Sequence, residues 1–360
     1  MNQMNRMRGY IEEQPALVRR MVAGRAAFAA GFLDRFGDAP VRRIILFGSG
    51  SSNHAAQMAK PILERALGVE VTPVVPTRIA ELDRVDPDGL FWFAISQSGI
   101  STNTYHLIGR LRARGTPVTA VTGGHDTPIA QRADFSVELP CGEEDIGAKT
   151  KGQVASALAL ILLGLEWGRR RGTCPEGFYR EMVDALTALG AQMDENLRRA
   201  DAWCAAVVPE LAAAPHLYVL AKGSAQGGAR EGALKLLETT YRPVSYYEFE
   251  EYLHGIQNAL DEKSWLLVLM PDADDPDFDR ARRLMDFARS VGAHCYPVSR
   301  GRETGLPASL TLQTAGCELL SSFEYVLPLQ LLSAALSAHC GIDTAKRRYP
   351  DFYTMMESKL

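Results

Sequence analysis

The stretch Phe91–Thr104, FWFAISQSGISTNT, decides the fold class of this chain. Its apolar run, residues 91–95, predicts a buried parallel strand, because such strands read as continuous hydrophobic segments. The hydroxyl-rich turn SQSG at 96–99 follows, and Ser101 or Thr102 then suits the N-cap of a helix. Backbone N–H groups and the helix dipole converge at such a turn, so the stretch predicts a site for a phosphate monoester. The alternative is a solvated Ser/Thr-rich loop.

Length and composition indicate a globular protein of more than one domain. The chain has 360 residues, which favours two domains or one duplicated domain. Its 46% hydrophobic and 23% charged residues are typical of a protein that buries a sizeable core. The net charge of −4 and the pI near 6.0 argue against nucleic acid or an anionic membrane as a partner.

The cysteine pattern and the apolar segments predict a cytoplasmic protein. Six cysteines are scattered singly, without a CxxC pair or a Cys/His cluster, so we expect reduced thiols and no metal site. Glu12 and Glu13 stand where a signal peptide has its apolar core, so secretion is not expected. The longest apolar stretch, Val154–Leu165, is too short to span a bilayer and predicts a buried helix.

Strands alternate with helices along the whole chain, which predicts parallel sheets covered on both faces. The predicted strands are 42–47, 69–75, 90–95, 117–121 and 135–139 in the first half, and 216–221, 244–247, 265–270, 293–298 and 310–313 in the second. Each half begins with a strand, a glycine-serine turn and a helix, which indicates an internal duplication. WGRRRG at 167–172, followed by Pro175, reads as the start of a linker.

These elements divide the chain into five parts. They are an N-terminal helical segment (1–40), a first subdomain (41–172), a linker helix (173–214), a second subdomain (215–345) and a C-terminal tail (346–360).

Two glycine-containing segments resemble nucleotide-binding motifs without completing them. Residues 48–52 contain GxG, but Asn53 stands where a dinucleotide fingerprint has its third glycine. GAKT at 147–150 lacks the adjacent Gly-Lys of a phosphate-binding loop, and three acidic residues, 143–145, precede it. The remaining candidates for a ligand site are the Ser-rich turns at the carboxyl ends of two strands, where open α/β sheets bind ligands.

Five short motifs together carry a resemblance to a known family. They are SGSS at 49–52, SQSG at 96–99, IGAKTKG at 146–152, EGALKLLE at 231–238 and LHG at 253–255. The chain resembles the double sugar isomerase (SIS) domain family over roughly residues 40 to 345. It is similar to the isomerase half of glucosamine-6-phosphate synthase, to phosphosugar deaminases and to fructosamine-6-phosphate deglycases. The resemblance implies two parallel-sheet, flavodoxin-like SIS subdomains arranged as a pseudo-duplication.

The resemblance also implies a role for particular residues. The phosphate of a sugar would be held by Ser52, Ser96, Gln97, Ser98 and Ser101, with Gly50 and Gly99 allowing close backbone approach. Glu238 would move a proton between C1 and C2 with Lys235 assisting. His254 would help to open the sugar ring and could reach in from a neighbouring subunit, so the resemblance implies a homodimer or a larger homo-oligomer.

The spacing of the acidic motif agrees with these roles. Glu231, Lys235 and Glu238 stand at i, i+4 and i+7 of one predicted helix and therefore share a face. Proton transfer needs a carboxylate within hydrogen-bond reach of its partner. An ordinary surface ladder of ion pairs is the alternative interpretation of the same spacing.

Two departures from the synthase shape the functional prediction. No glutaminase domain precedes the SIS region, so glutaminase activity is not expected, and the tail GIDTAKRRYPDF (341–352) does not match the synthase's C-terminal signature. The synthase's lysine therefore has no secure counterpart at Lys346. We expect an enzyme without cofactor or metal that acts on a 6-phosphorylated ketosamine or amino sugar as a deglycase or deaminase. A simple aldose–ketose isomerase and a non-catalytic sugar-phosphate sensor remain the alternatives.

Overall fold

The computed structural model describes residues 6–81 and 89–360. The first five residues of the predicted N-terminal helical segment lie outside this range. Contacts divide the chain into two compact units. The N-terminal unit comprises Ala16–Asp145, Lys151–Asp184 and Arg347–Leu360, and the C-terminal unit comprises Met1–Pro15, Ile146–Thr150 and Ala185–Lys346. The five-part division stays a prediction.

Each unit contains one five-stranded sheet in which every strand pair is parallel. The strands are β1 (Arg43–Phe47), β2 (Glu70–Val74), β3 (Leu90–Ser96), β4 (Val118–Thr122), β5 (Phe135–Glu138), β6 (Leu217–Ala221), β7 (Val244–Glu248), β8 (Trp265–Leu269), β9 (His294–Arg300) and β10 (Leu310–Leu312). The orders are β2-β1-β3-β4-β5 and β7-β6-β8-β9-β10. These are the same topology, the flavodoxin-like order, so the predicted duplicated α/β fold is confirmed.

Helices connect the strands and flank both sheets. They are α1 (Arg6–Glu12), α2 (Gln14–Ala23), α3 (Arg25–Phe36), α4 (Ser51–Leu67), α5 (Thr102–Ala113), α6 (Pro128–Arg132), α7 (Lys151–Arg171), α8 (Glu176–Leu211), α9 (Gln226–Thr240), α10 (Phe249–Leu253), α11 (Asp277–Ser290), α12 (Ser321–His339) and α13 (Phe352–Met355). Pro15 stands in the first turn of α2, where a missing N–H costs nothing. The predicted linker helix corresponds to α8, whose residues up to Asp184 belong to the N-terminal unit.

The core of the N-terminal unit lies between the sheet and its helices. Residues 44–47 of β1 are fully buried, and α7 is buried from Lys151 to Gly168, as the apolar stretch predicted. The prediction that residues 167–172 begin a linker is wrong. Helix α7 continues through Arg171, because Trp167 packs edge-on against Phe32 with ring centroids 5.1 Å apart and holds this turn in the core.

The core of the C-terminal unit covers both faces of its sheet. One face packs under α9 and α12, and the other under α10 and α11. Among the described residues one helical segment, Glu318–His339, is long and apolar enough to cross a membrane. Its window is 83% buried within the protein, which is the pattern of a helix at the centre of a core. None of the six cysteines forms a disulfide in this structure, and five of them are buried.

Candidate active site

The Ser-rich turns of the N-terminal unit lie side by side at the carboxyl edge of its sheet. Strands β1 and β3 are neighbours, and Phe47 pairs in register with Ala94, so the turns that follow them are adjacent. The chain leaves β1 toward β2 on one side and returns to β3 on the other. This reversal of strand order is the place where open α/β sheets bind ligands.

Three glycines shape these two turns. A Cβ on Gly48 would lie 2.7 Å from the Ile95 carbonyl oxygen, so the first turn touches the end of β3. Gly50 has φ +55° and stands directly before α4. Gly99 has φ +67°, and its Cβ would lie 2.2 Å from Thr127 Cβ. Only glycine satisfies both the backbone and the space at position 99.

The requirement at Gly99 gives a test with a matched control. We expect Gly99→Ala to destabilise the protein by about 1–2 kcal/mol through backbone strain and by about 1–3 kcal/mol more through the overlap with Thr127. Gly115 also has a positive φ, +74°, but its Cβ would meet nothing within 4 Å. Gly115→Ala should therefore cost the backbone term alone. Urea unfolding of both variants measures the difference, and equal losses would contradict the role of the turn.

The five predicted phosphate ligands all lie on these turns or on the helix starts behind them. Ser52 is in the first turn of α4, and Ser101 occupies the N-cap position of α5 with φ −70° and ψ 115°. Ser96 is buried at the end of β3, while Ser98 is exposed. The Ser101 side chain makes no capping hydrogen bond to a backbone N–H, but its Oγ accepts from the Thr104 hydroxyl of α5 at 3.2 Å. Their role in binding phosphate stays a prediction.

Gln97 is held by a motif that lies more than fifty residues away. A Cβ on Gly152 would lie 2.5 Å from Gln97 Cγ, so the glycine of IGAKTKG lets α7 begin against this side chain. The buried carboxylate of Glu144 accepts the Gly152 N–H at 2.7 Å and caps the start of α7. Within the described part of the chain, Gln97 Oε1 is buried without a hydrogen-bond partner. A buried orphan acceptor is costly and suits a ligand that brings a donor.

The C-terminal segment lies on the same loop, which sequence reasoning missed. Leu360 N–H donates to the Ile100 carbonyl at 2.9 Å, and Thr102 N–H points to the Ser358 carbonyl at 3.4 Å. Ser101 and Lys359 form an antiparallel bridge. Lys346 is the tail lysine compared above with the synthase's C-terminal lysine. It is exposed, pairs with Asp343 and belongs to the C-terminal unit rather than to the N-terminal one. Backbone pairing of this kind leaves no pattern in the sequence.

The equivalent turn of the C-terminal unit already holds a carboxylate. Residues 222–224 follow β6 as 48–52 follow β1, and the Ser224 N–H donates to Glu318 Oε1 at 2.9 Å. The nearest oxygen to a Cβ on Gly223 would also be Glu318 Oε1, at 3.1 Å. The anion position of the second turn is therefore occupied by the chain itself. This contrast favours the N-terminal turns for a phosphate.

The predicted acidic ladder is on α9 of the C-terminal unit, and it is buried rather than on the surface. Lys235 is 1% exposed and its Nζ lies 2.6 Å from Glu238 Oε2 and 3.4 Å from Glu231 Oε1. Glu231 is fully buried, whereas 36% of the Glu238 side chain is exposed. The interpretation of this spacing as a surface ladder is excluded.

The charges of the ladder depend on one another. Burial would lower the pKa of Lys235, but the carboxylates of Glu231 and Glu238 outweigh it and raise that pKa above its ordinary value. Lys235 is thus a permanent cation between two carboxylates. Since Glu238 is the only one of the three ladder residues that reaches solvent, it is the one of the two carboxylates that a substrate can contact.

Close helix packing explains why the ladder is buried. Helix α9 lies against α12, and a Cβ on Gly232 would be 2.2 Å from Leu329 Cδ1. At Gly228 a Cβ would be 2.4 Å from the Ser322 carbonyl oxygen. The two glycines allow the helices to approach closely enough to exclude solvent from the residues between them.

His254 follows α10 and is exposed. Its side chain is 69% accessible, and Nε2 lies 3.3 Å from Glu250 Oε1. The same unit carries His254 and the ladder of α9, but their joint action stays a prediction. No group of three His, Cys, Asp or Glu side chains is arranged for a metal ion among residues 6–81 and 89–360.

Two parallel sheets of matching topology, with Ser-rich turns at the strand reversal of one, define the class as a double α/β fold of flavodoxin-like order. Residues 39–165 match the model of the SIS domain, and the chain is homologous to the isomerase domain of glucosamine–fructose-6-phosphate aminotransferases. The resemblance seen in the motifs is thereby confirmed.

Individual relatives show how far this similarity extends. The chain is 27% identical over 350 residues to the glutamine–fructose-6-phosphate aminotransferase (isomerizing) of Pseudomonas aeruginosa, covering 94% of this chain and 56% of that protein. It therefore spans about half the length of the curated relatives it matches. The solved C-terminal domain of the Francisella tularensis aminotransferase aligns with a TM-score of 0.83 and 21% identity, covering 94% of this chain and 97% of that one. Glucosamine-6-phosphate deaminase from Thermotoga maritima aligns with a TM-score of 0.71 and 18% identity over 96% and 98% of the chains.

Proposed function

We propose that this protein is an enzyme that processes an amine-bearing sugar phosphate, either a 6-phosphorylated ketosamine or an amino sugar. The observation that carries the proposal is the buried ladder of α9, in which a carboxylate with solvent access is held by a buried lysine. A binding module has no need of a buried cation that orients a single exposed carboxylate. The names of the relatives include an isomerizing aminotransferase and a deaminase.

The proposed chemistry is a proton transfer followed by hydrolysis. Glu238 takes a proton from the carbon that bears the amine, which is acidic because it adjoins the carbonyl, and returns it to the former carbonyl carbon, whose oxygen becomes a hydroxyl. The amine becomes an imine by this exchange. Water then adds to the imine carbon and releases a carbonyl sugar phosphate and the free amine. Lys235 keeps Glu238 in place, and His254 assists opening of the ring.

The phosphate is proposed to bind at Ser52, Ser96, Gln97, Ser98 and Ser101, with Gly50 and Gly99 admitting it close to the backbone. Donors at two helix starts suit a dianion. We expect Ser98→Ala to raise KM by roughly 10- to 150-fold, because a hydrogen bond to a charged group is worth about 1.5–3 kcal/mol. The kcat should change little, since the phosphate is bound throughout the reaction. Ser290→Ala, at an exposed serine of α11, is the control. An unchanged KM in Ser98→Ala would contradict the proposal that the phosphate binds at this turn.

A substrate screen separates the proposed activity from its alternatives. The protein is incubated with 6-phosphorylated ketosamines, amino sugars and plain aldose and ketose phosphates, and free amine or ammonia is measured. Release of amine from phosphorylated substrates, and not from their unphosphorylated analogues, is the expected result. Interconversion of aldose and ketose phosphates without amine release favours the simple isomerase, and binding without turnover favours the sensor. The homodimer and the cytoplasmic location stay predictions.

A further inference from the structure

The residue implied in ring opening, His254, is carried by a short helix that is fixed on several sides. Helix α10 has five residues and cannot be stable by itself. Its Phe249 and Tyr252 are almost completely buried in the core beside α11. The carboxylate of Glu248 accepts the N–H groups of Glu250 at 2.7 Å and Glu251 at 3.0 Å, which caps the helix. His254 is thus an exposed side chain on a rigid support.

The rigid support ends at this histidine. His254 is the residue after the last turn of α10, and the next residue, Gly255, has φ +136°, which residues with a Cβ rarely adopt. The chain therefore turns away directly after presenting the imidazole to solvent. What remains to be fixed is the orientation of the side chain itself.

A continuous chain of ion pairs runs to the imidazole from the carboxyl edge of the sheet. Lys222, the residue after β6, lies 2.5 Å from Asp277 Oδ2, and Asp277 Oδ1 lies 2.8 Å from Arg280 Nη1. Arg280 Nη1 is 3.0 Å from Glu250 Oε2, and Glu250 Oε1 is 3.3 Å from His254 Nε2. Four consecutive pairs link three elements to one histidine.

The contacts of Arg280 make it the central member of this chain. Its guanidinium touches both Asp277 on its own helix and Glu250 on α10. It also lies 5.8 Å from the centre of the Phe249 ring. It contacts both carboxylate oxygens of Glu250, Oε2 through Nη1 at 3.0 Å and Oε1 through Nη2 at 3.3 Å, and this two-point contact fixes the carboxylate whose Oε1 lies 3.3 Å from His254 Nε2.

These pairs are partly exposed, and isolated surface ion pairs contribute little to stability. A network whose inner members, Asp277, Arg280 and Glu250, each have two partners restricts side-chain orientation instead. An ordinary helical i, i+4 pair between Glu250 and His254 requires no partner for Glu250 on a second helix. A helical pair between Glu250 and His254 alone does not explain why Glu250 of α10 is also bound by Arg280 of α11.

We propose that Arg280 is a positioning residue for His254, acting through Glu250. The carboxylate accepts the Nε2 proton of the imidazole, which sets the ring's orientation and leaves Nδ1 for the substrate. This inference rests on the proposed function, in which His254 assists ring opening. It assigns to α11 a part in the reaction that is exerted through Glu250 of α10.

The test compares variants that separate positioning from folding. We expect Arg280→Ala to lower kcat by roughly 10- to 100-fold, because small misplacements of a reacting group have costs of this size. KM should stay within about twofold, since Arg280 does not bind substrate. Arg280→Lys should recover a large part of the rate, and added guanidinium at low concentration should partly rescue Arg280→Ala. Arg283→Ala, at an exposed arginine of the same helix, is the matched control and should behave as the wild type.

The outcomes keep this inference apart from the proposed function. A normal kcat in Arg280→Ala, together with a low kcat in His254→Ala, would overturn the inference and leave the function of His254 intact. A loss in Arg280→Ala that neither Arg280→Lys nor guanidinium reduces would also overturn it, because this is the behaviour of a purely structural residue. Normal turnover in His254→Ala would reject the role of the histidine in the proposed function. Urea unfolding of each variant confirms that the compared proteins are folded.

Discussion

Glu238→Gln is expected to lower kcat by roughly 10²–10⁴-fold, the usual contribution of a positioned general base. The substitution keeps the size of the side chain and an oxygen that can accept from Lys235, 2.6 Å away. It removes only the basicity. Substrate affinity should therefore change little, and a fall in kcat without a matching change in ground-state binding is the signature of a group needed in the chemical step.

The measurement needs a control for the general effect of removing a carboxylate. Glu181→Gln, at an exposed position of α8, removes one at a site with no proposed role. Both variants are assayed with whichever phosphosugar the wild type turns over. A near-normal kcat in Glu238→Gln would show that another residue is the general base, and Glu231 and His254 would be tested next.

Lys235→Met is expected to reduce both stability and activity. The substitution leaves Glu231, which is fully buried, without the cation 3.4 Å away. Breaking a buried ion pair from one side typically costs about 3–5 kcal/mol. Glu238 loses the ammonium group that lies 2.6 Å from its Oε2. Urea unfolding and the steady-state rate measure the two effects.

A double variant separates these two consequences. Glu231→Met combined with Lys235→Met replaces the buried pair by apolar side chains of similar volume, and such replacements often leave stability within about 1 kcal/mol of the original. We therefore expect the double variant to regain most of the stability without regaining the rate. Recovery of the rate together with the stability would show that Lys235 acts only through the fold.

The direction of the Lys235 pKa also predicts how this stabilisation depends on pH. Its pKa is raised in the folded state above the unfolded value of about 10.4. The stability it contributes is fully present below that value and is lost as the pH rises through the higher folded-state pKa. The difference in unfolding free energy between wild type and Lys235→Met should stay constant from about pH 6 to about pH 9.

The order of strands and turns follows from local features of the sequence. Continuous apolar runs such as 91–95 identified the strands to within two residues at each end, because buried parallel strands need no polar alternation. Glycine and serine after β1, β3 and β6 marked the turns. The repeated strand–turn–helix unit indicated the duplication, and the identical order of both sheets agrees with it.

Other features could not be read from the sequence because they depend on residues that are distant along the chain. The spacing of Glu231, Lys235 and Glu238 is the same for a surface ladder and for a buried one. The approach of α12 at Gly228 and Gly232 decides between them. Likewise the segment WGRRRG has the composition of a linker, and only the packing of Trp167 against Phe32 shows that it continues a buried helix.

What the sequence determined by itself was the fold class, the duplication and the identity of the Ser-rich turns, since each arises from short-range periodicity and backbone preferences. The tertiary structure alone decided that the turn of the C-terminal unit holds a carboxylate of the chain itself, because the Ser224 N–H donates to Glu318, 94 residues away. It also decided that Ser358–Leu360 lies along Ile100–Thr102. Hydrogen bonds between backbone groups are nearly independent of side-chain identity, so their partners are selected only when the chain has folded.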